Sequence, residues 1–360
     1  MTGNVLIDLL EFVVVFGLLL FTHEFGHYIM ARIFNIEVEE FGFGFPPKVK
    51  TLFYYKGTEF TLNAIPFGAF VRPKGENDPE VPGGMASANP WKRLGVLFGG
   101  PFMNMLVGFI LFIVLFVRVG SPDTSVILID QVASASPAST AGLLAGDQVL
   151  KVNDQSVDSI SAMQTIVTAN KGTEISVVVR RSSGEVTLHL TPRVNPPEGQ
   201  GAMGIAMSNP SKPIPVLQAV PMAAIATADL CWQTVTLPVK LIEGAIPKEQ
   251  ARMVGPVGMF SIFRQVSAMD QEAQSTAVPH PATTVLYFIC TISVALGITN
   301  LLPIPALDGG RILFLIPELL FRRRVPAKYE NFVHMIGFTA LLLLMAVITI
   351  QDVFNPIQLK

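Results

Sequence analysis

The feature that most restricts how this chain can fold is a set of apolar runs too long for a soluble core. Residues 94–117 read LGVLFGGPFMNMLVGFILFIVLFV without one charge, and a helix needs ~20 such residues to cross a bilayer. Residues 10–31, 284–307 and 332–350 are comparable. The composition agrees: 50% of residues are hydrophobic and only 14% charged, where a soluble domain carries ~25%. The expected fold is therefore a polytopic α-helical membrane protein with about four transmembrane helices. A net charge of -2 argues against nucleic acid as a partner. The two cysteines, Cys231 and Cys290, sit in apolar surroundings without metal-ligand spacing. The first apolar run does not read as an ordinary signal peptide, because MTGNVLIDLLE carries acids instead of Lys or Arg and no small-residue cleavage site follows.

Inside that first run lies His23-Glu24-Phe25-Gly26-His27, an H-E-x-x-H sequence. On a helix, positions i and i+4 share a face, so two imidazoles reach one metal ion while Glu24 stands beside them as a general base. The pattern alone is short enough to arise by chance. Its setting is more telling, since a Glu and two His within an apolar span are costly and mark a functional site by default.

Lys and Arg in the loops set the orientation. Lys48, Lys50, Lys56, Arg72 and Lys74 lie between the first two spans, and Arg311, Arg322, Arg323, Arg324 and Lys328 between the last two. The positive-inside rule makes both loops cytoplasmic, with the termini and residues 118–283 outside. Between spans one and two, Gly42 and Gly44 alternate with Phe41, Phe43 and Phe45, a period of two that suits a strand. Further strand-like runs follow at 51–55 and 59–64. This ribbon (41–72) reads equally well as a surface hairpin or as an element dipping into the membrane where its backbone is satisfied.

Residues 121–194 read as a small α+β domain. Strands are expected at 126–132 and 148–152, a helix at 159–170, and a hairpin from Ile175-Val177-Val179 and Val186-Leu188-Leu190 about the turn Ser182-Ser183-Gly184. His189 falls on its polar face. Residues 195–283 are read as a Pro- and Gly-rich linker followed by an amphipathic helix at 216–243 on the outer membrane surface, with a fifth span as the alternative. The four parts are thus 1–118 (spans one and two), 121–194, 195–283 and 284–360 (spans three and four).

A catalytic zinc site takes three protein donors and keeps one position open. Asp308, in Leu302-Pro303-Ile304-Pro305-Ala306-Leu307-Asp308-Gly309-Gly310, is the only acid near the end of span three. Spans one and three both run inward, which brings Asp308 to the depth of His23 and His27. Pro303 and Pro305 break the helix and let the carboxylate turn inward. The plainer alternative is an interfacial Asp opening a turn. His334 on span four is read as a packing residue or one supporting the donors from outside.

HEFGHY, GFGFPPK, GGPFMN (99–104), MVGPVGMF (253–260) and NLLPIPALDGG together resemble the site-2 protease family of intramembrane zinc metalloproteases. Residues 121–194, with AGLLAGDQVLKVND, are similar to the extracytoplasmic PDZ domain of its bacterial branch. The resemblance implies that His23, His27 and Asp308 bind zinc and that Glu24 activates water. It implies that Asn300 holds substrate or the developing oxyanion. Gly42, Phe43 and Gly44 would belong to a membrane-reentrant β-element that pairs with an extended substrate. It further implies a multi-pass protein of the bacterial cytoplasmic membrane, with its active site near the cytoplasmic side. Its partners would be the lipid bilayer and single-span membrane proteins, such as anti-sigma factors or remnant signal peptides, cut after a site-1 type protease. A catalytically silent PDZ scaffold and a metal transporter are the competing classes. The intact Glu24 and Asp308 oppose the first, and four spans with one H-E-x-x-H oppose the second.

Overall fold

The computed structural model describes residues 5–76, 78–182, 184–197, 199–244, 252–275 and 283–358; residues 1–4, Ser183 of the expected turn and parts of 195–283 lie outside them. Taken in order, helix α1 (Val5–Ile33) leads into a long ribbon of β1 (Val38–Tyr55) and β2 (Thr58–Pro73), then α2 (Pro90–Val119). Short β3 (Ser121–Pro122), β4 (Ile127–Val132), α3 (Pro137–Ala141), β5 (Gln148–Val152), β6 (Gln155–Ser156) and α4 (Ile160–Ala169) follow. Next come β7 (Ile175–Arg181), β8 (Gly184–Leu190), β9 (Ile205–Ser208) and β10 (Ser211–Lys212). The chain closes with α5 (Val216–Ile242), α6 (Pro256–Ser275), α7 (Thr284–Asn300), α8 (Asp308–Phe321) and α9 (Ala327–Phe354).

The chain forms two compact units. One comprises Met1–Leu115, Ala219–Met269 and Thr284–Lys360; the other comprises Phe116–Gln218 and Asp270–Thr283. Helices α1, α2 and α9 are long and apolar enough to cross a membrane, as a multi-pass protein requires. The third apolar segment differs from the expected span. Its helix, α7, is only 17 residues long and ends at Asn300, because Pro303 and Pro305 remove amide donors from the next turn.

Small residues let the helices of the first unit approach. A Cβ on Gly26 of α1 would fall on the backbone of Gly99 in α2, and one on Gly297 of α7 would meet the Pro101 carbonyl and Met105. The Ser293 hydroxyl of α7 donates to the Asn104 carbonyl at 2.8 Å. Aromatic stacking docks the ribbon on α1. Tyr28 meets Phe41 and Phe60 edge-on at 5.8 and 5.7 Å, and Phe43 stacks on Phe21 at 5.6 Å. Strand β1 runs from Val38 to Tyr55, with irregular register against β2 between Phe43 and Lys50.

Helix α6 was not legible within 195–283. Its first turn is capped by a distant carboxylate: Gly255 and Gly258 amides donate to Asp352 of α9 at 2.8 and 2.9 Å, and Arg252 pairs with the other oxygen. No local pattern announces such a cap.

In the second unit the sheet runs β8-β7-β5-β4-β9, with β6 beside β5. The expected hairpin is present, with Ile175 opposite Leu190 and Val179 opposite Val186. Alternate residues Ile175, Val177 and Val179 are fully buried with Ile127, Ile129, Val152 and Met163. Serines cap both helices: Ser136 accepts from the Ser139 amide and Ser159 from that of Ala162. The stretch 195–215 differs from a linker. Part of it is β9, paired antiparallel with β4 from Val132↔Ile205 to Leu128↔Ser208. Its four residues are too few to reveal a period.

Candidate metal and catalytic site

The site is built where α1, α2, β2 and the turn before α8 meet, around a cavity of about 350 Å3. His23 and His27 lie on one face of α1, with their Nε2 atoms 3.1 Å apart. Asp308 Oδ2 stands 3.2 Å from His23 Nε2 and 3.4 Å from His27 Nε2. Glu24 and Asn300 line the same cavity.

Each donor is held from outside. His27 Nδ1–H donates to the Val96 carbonyl at 2.8 Å. A carbonyl only accepts, so the proton is fixed on Nδ1 and the Nε2 lone pair is left facing the cavity. Gly100 makes room for both rings: a Cβ there would fall on His27 Nε2 and lie 2.8 Å from His23 Cε1. Asn104, 1% exposed, places its side-chain amide 3.4 Å from His23 Nδ1.

Asp308 reaches the cavity through a turn of unusual backbone. Ala306 has φ +81°, in the left-handed region that favours glycine, and its amide donates to His334 Nδ1 of α9 at 2.9 Å. A Cβ on Gly309 would strike the Leu301 and Leu302 carbonyls, and one on Gly310 the Ile304 carbonyl. The two glycines after Asp308 thus let the turn close on itself, and His334 pins it.

The ribbon meets the site through β2 rather than β1. Phe70, Val71 and Pro73 line the cavity, and the Val71 amide donates to Glu24 Oε2 at 3.1 Å. Gly42, Phe43 and Gly44 lie on β1, outside the cavity lining. Gly42 is covered by the Phe70 ring and Asn63. Val71, Val96 and Asn104 carry no chemical signal of their own in the sequence; the GGPFMN run was the pointer to the last. At the mouth, Arg311 pairs with Glu76.

The donor set suits zinc. Two imidazole nitrogens and a carboxylate oxygen are a common zinc combination, and bonds of ~2.05 Å in a tetrahedron put neighbouring donors about 3.3 Å apart. The separations of 3.1, 3.2 and 3.4 Å match that edge.

Comparison with known proteins agrees with this chemistry. The profile of peptidase family M50 matches residues 11–344. The chain belongs to peptidase family M50, the site-2 protease family. This M50 chain is 32% identical to a protein of Clostridium perfringens whose name places it among the zinc metalloproteases, over 95% of this chain and 97% of that one. It is 27% identical to the regulator of sigma-W protease RasP of Bacillus subtilis, over 96% and 97%. Among solved structures, the PDZ domain of an SdrC-like protein from Listeria monocytogenes is 15% identical, covers 23% of the M50 chain and 87% of its own, and has a TM-score of 0.21.

Proposed function

We propose that this M50 zinc metalloprotease cuts peptide bonds within the membrane-spanning segments of single-span proteins, with Glu24 as its general base. The observation that carries the reading is the convergence of His23 Nε2, His27 Nε2 and Asp308 Oδ2 within 3.4 Å in a cavity that Glu24 also lines. These three residues would hold the zinc. Bound there, zinc supplies Lewis acidity toward a peptide carbonyl and toward water.

The chain's own groups do the rest. Glu24 takes a proton from the attacking water and delivers it to the leaving amine. The Val71 amide holds one carboxylate oxygen and leaves the other free for that transfer. Asn300, on the cavity wall, holds the substrate backbone or the oxygen that gains charge. A peptide bond inside a helix is shielded by its own hydrogen bonds, so the substrate must unwind locally. The ribbon carrying Gly42, Phe43 and Gly44 offers strand pairing to offset that cost, and β2 is the strand that borders the cavity.

In this reading α7 is a fourth, short span whose irregular continuation, 301–307, lines the site from within the membrane. The second unit, centred on 121–194, is an extracytoplasmic PDZ domain that filters or binds substrates already trimmed by an earlier protease. The basic loops at 48–74 and 311–328 support that orientation and a site near the cytoplasmic face of a bacterial inner membrane.

Comparing membrane proteomes of cells with active enzyme and with Glu24→Gln tests the proposal. Short membrane fragments should accumulate only in the variant, which should retain its zinc and lose about 10²–10⁴-fold in rate. Cleavage at the wild-type rate by Glu24→Gln would sink the assignment.

A further inference from the structure

Thr22, immediately before the H-E-x-x-H sequence, and Asn104, on the neighbouring helix, make contacts that the mechanism above does not use. The Thr22 hydroxyl lies 2.8 Å from the Leu19 carbonyl and 3.1 Å from Asn104 Oδ1. Asn104 Nδ2 lies 3.4 Å from His23 Nδ1. A hydroxyl has one hydrogen, and the Leu19 carbonyl can only accept. That hydrogen can go to Leu19 or to Asn104 Oδ1; given to Leu19, it leaves Thr22 Oγ1 free to accept from the NH2 group of an Asn104 amide turned end for end. The two ends of an amide have nearly the same shape, and a zinc-binding His23, which needs its proton on Nδ1, selects the turned arrangement. The amide oxygen then faces His23, and it accepts from His23 Nδ1–H.

We propose that Asn104 is a positioning residue that sets the tautomer of His23, oriented in turn by Thr22. The relay runs Leu19 carbonyl, Thr22 hydroxyl, Asn104 amide, His23 ring. Its result is an Nε2 lone pair directed at Asp308 and His27, the state needed for metal binding. The inference rests on the zinc-site reading above. The two histidines are thereby served by different partners on one helix: His27 by the Val96 carbonyl, His23 by a side chain that could be oriented either way. A backbone carbonyl needs no help to present an acceptor, whereas an amide needs Thr22 to keep its oxygen turned inward. Burial at 1% exposure keeps water from substituting for it.

Zinc affinity of the detergent-purified full chain, measured by competition with a chelator, tests the relay without reference to turnover. Asn104→Leu should weaken zinc binding about 10–100-fold, the usual cost of losing such a partner. Asn104→Asp, which offers His23 an acceptor whichever way it turns, should bind at least as tightly as wild type. Thr22→Val should weaken binding roughly 2–10-fold, the worth of one hydrogen bond. Ser293→Ala removes the α7 contact to the Asn104 backbone and separates packing from positioning; it should leave affinity unchanged. Asn104→Leu at wild-type affinity, or Ser293→Ala as weak as Asn104→Leu, would overturn the inference. Should Asn104→Leu fail to fold, Thr22→Val at full affinity or Asn104→Asp below wild type overturns it equally. A wild-type chain that binds no zinc, or a His23→Ala variant that still binds it, would instead overturn the zinc-site reading.

Discussion

The two compact units solve the problem of burial in opposite ways. In the second unit, alternation puts Ile127, Ile129, Ile175 and Val177 at 0% exposure, and burial of apolar surface drives the fold. In the helical unit, large apolar residues face outward, such as Leu6 at 71% on α1 and Leu343 at 65% on α9, while His23, Asn104 and Ser293 are buried. Lipid tails are as apolar as leucine, so nothing is gained by hiding these side chains from a bilayer. The interior is left for glycine contacts and for polar groups that satisfy one another. The comparison explains why one unit can house buried polar groups such as the proposed donor set and the other holds a conventional core.

Variants that strike the polar interior should give the largest effects. Asp308→Asn keeps the shape of the donor set and removes its charge. Zinc loss should exceed the roughly 10–100-fold seen when only an outer partner is removed, with activity falling alongside; metal analysis after dialysis checks it. Gly100→Ala comes next. Its methyl group would collide with His27 Nε2, an overpacking that costs about 1–3 kcal/mol and splays the two rings. Reduced zinc content with a normal elution profile is the expected result, and an unaltered site would show that α1 and α2 are less tightly joined than Gly26 and Gly99 imply.

The apolar core should answer differently. Ile175→Ala should destabilise its own unit by about 2–5 kcal/mol, read as faster amide exchange across β5, β7 and β8 in the full chain, with zinc content unchanged. The smallest effect concerns Asp123, half-buried at the joint of β3 and β10. Hydrogen bonds from Lys212 and Ser125 hold its carboxyl below the usual carboxylate range. A folded pKa below the unfolded one means the link is fully present above pH ~4 and is lost as pH falls through the lower value. Exchange at the β3–β10 pair should quicken on acidification, and Asp123→Asn should abolish that pH dependence.

What the sequence disclosed follows the same division. The proposed donors His23, His27 and Asp308 and the proposed base Glu24 stand out because they are chemically conspicuous in apolar surroundings, and the 175–190 hairpin because its period is strict. Parts held by remote partners were not. Helix α6 depends on Asp352, and β9 gains its strand character from β4. The ribbon element at the cavity is Val71 on β2, an apolar residue that contributes its backbone amide; the more conspicuous Gly42–Gly44 stretch on β1 lines no part of the cavity.

The turn pinned by His334 also bears on how the protein is made. His23 and His27 leave the ribosome early, whereas the peptide that shapes the Asp308 turn is anchored by a side chain on the last helix. A nascent chain halted anywhere before α9 carries two imidazoles and at most an unanchored carboxylate. The proposed donor trio would then gain its last anchor only when translation is nearly finished, after most of the scaffold around it has been made.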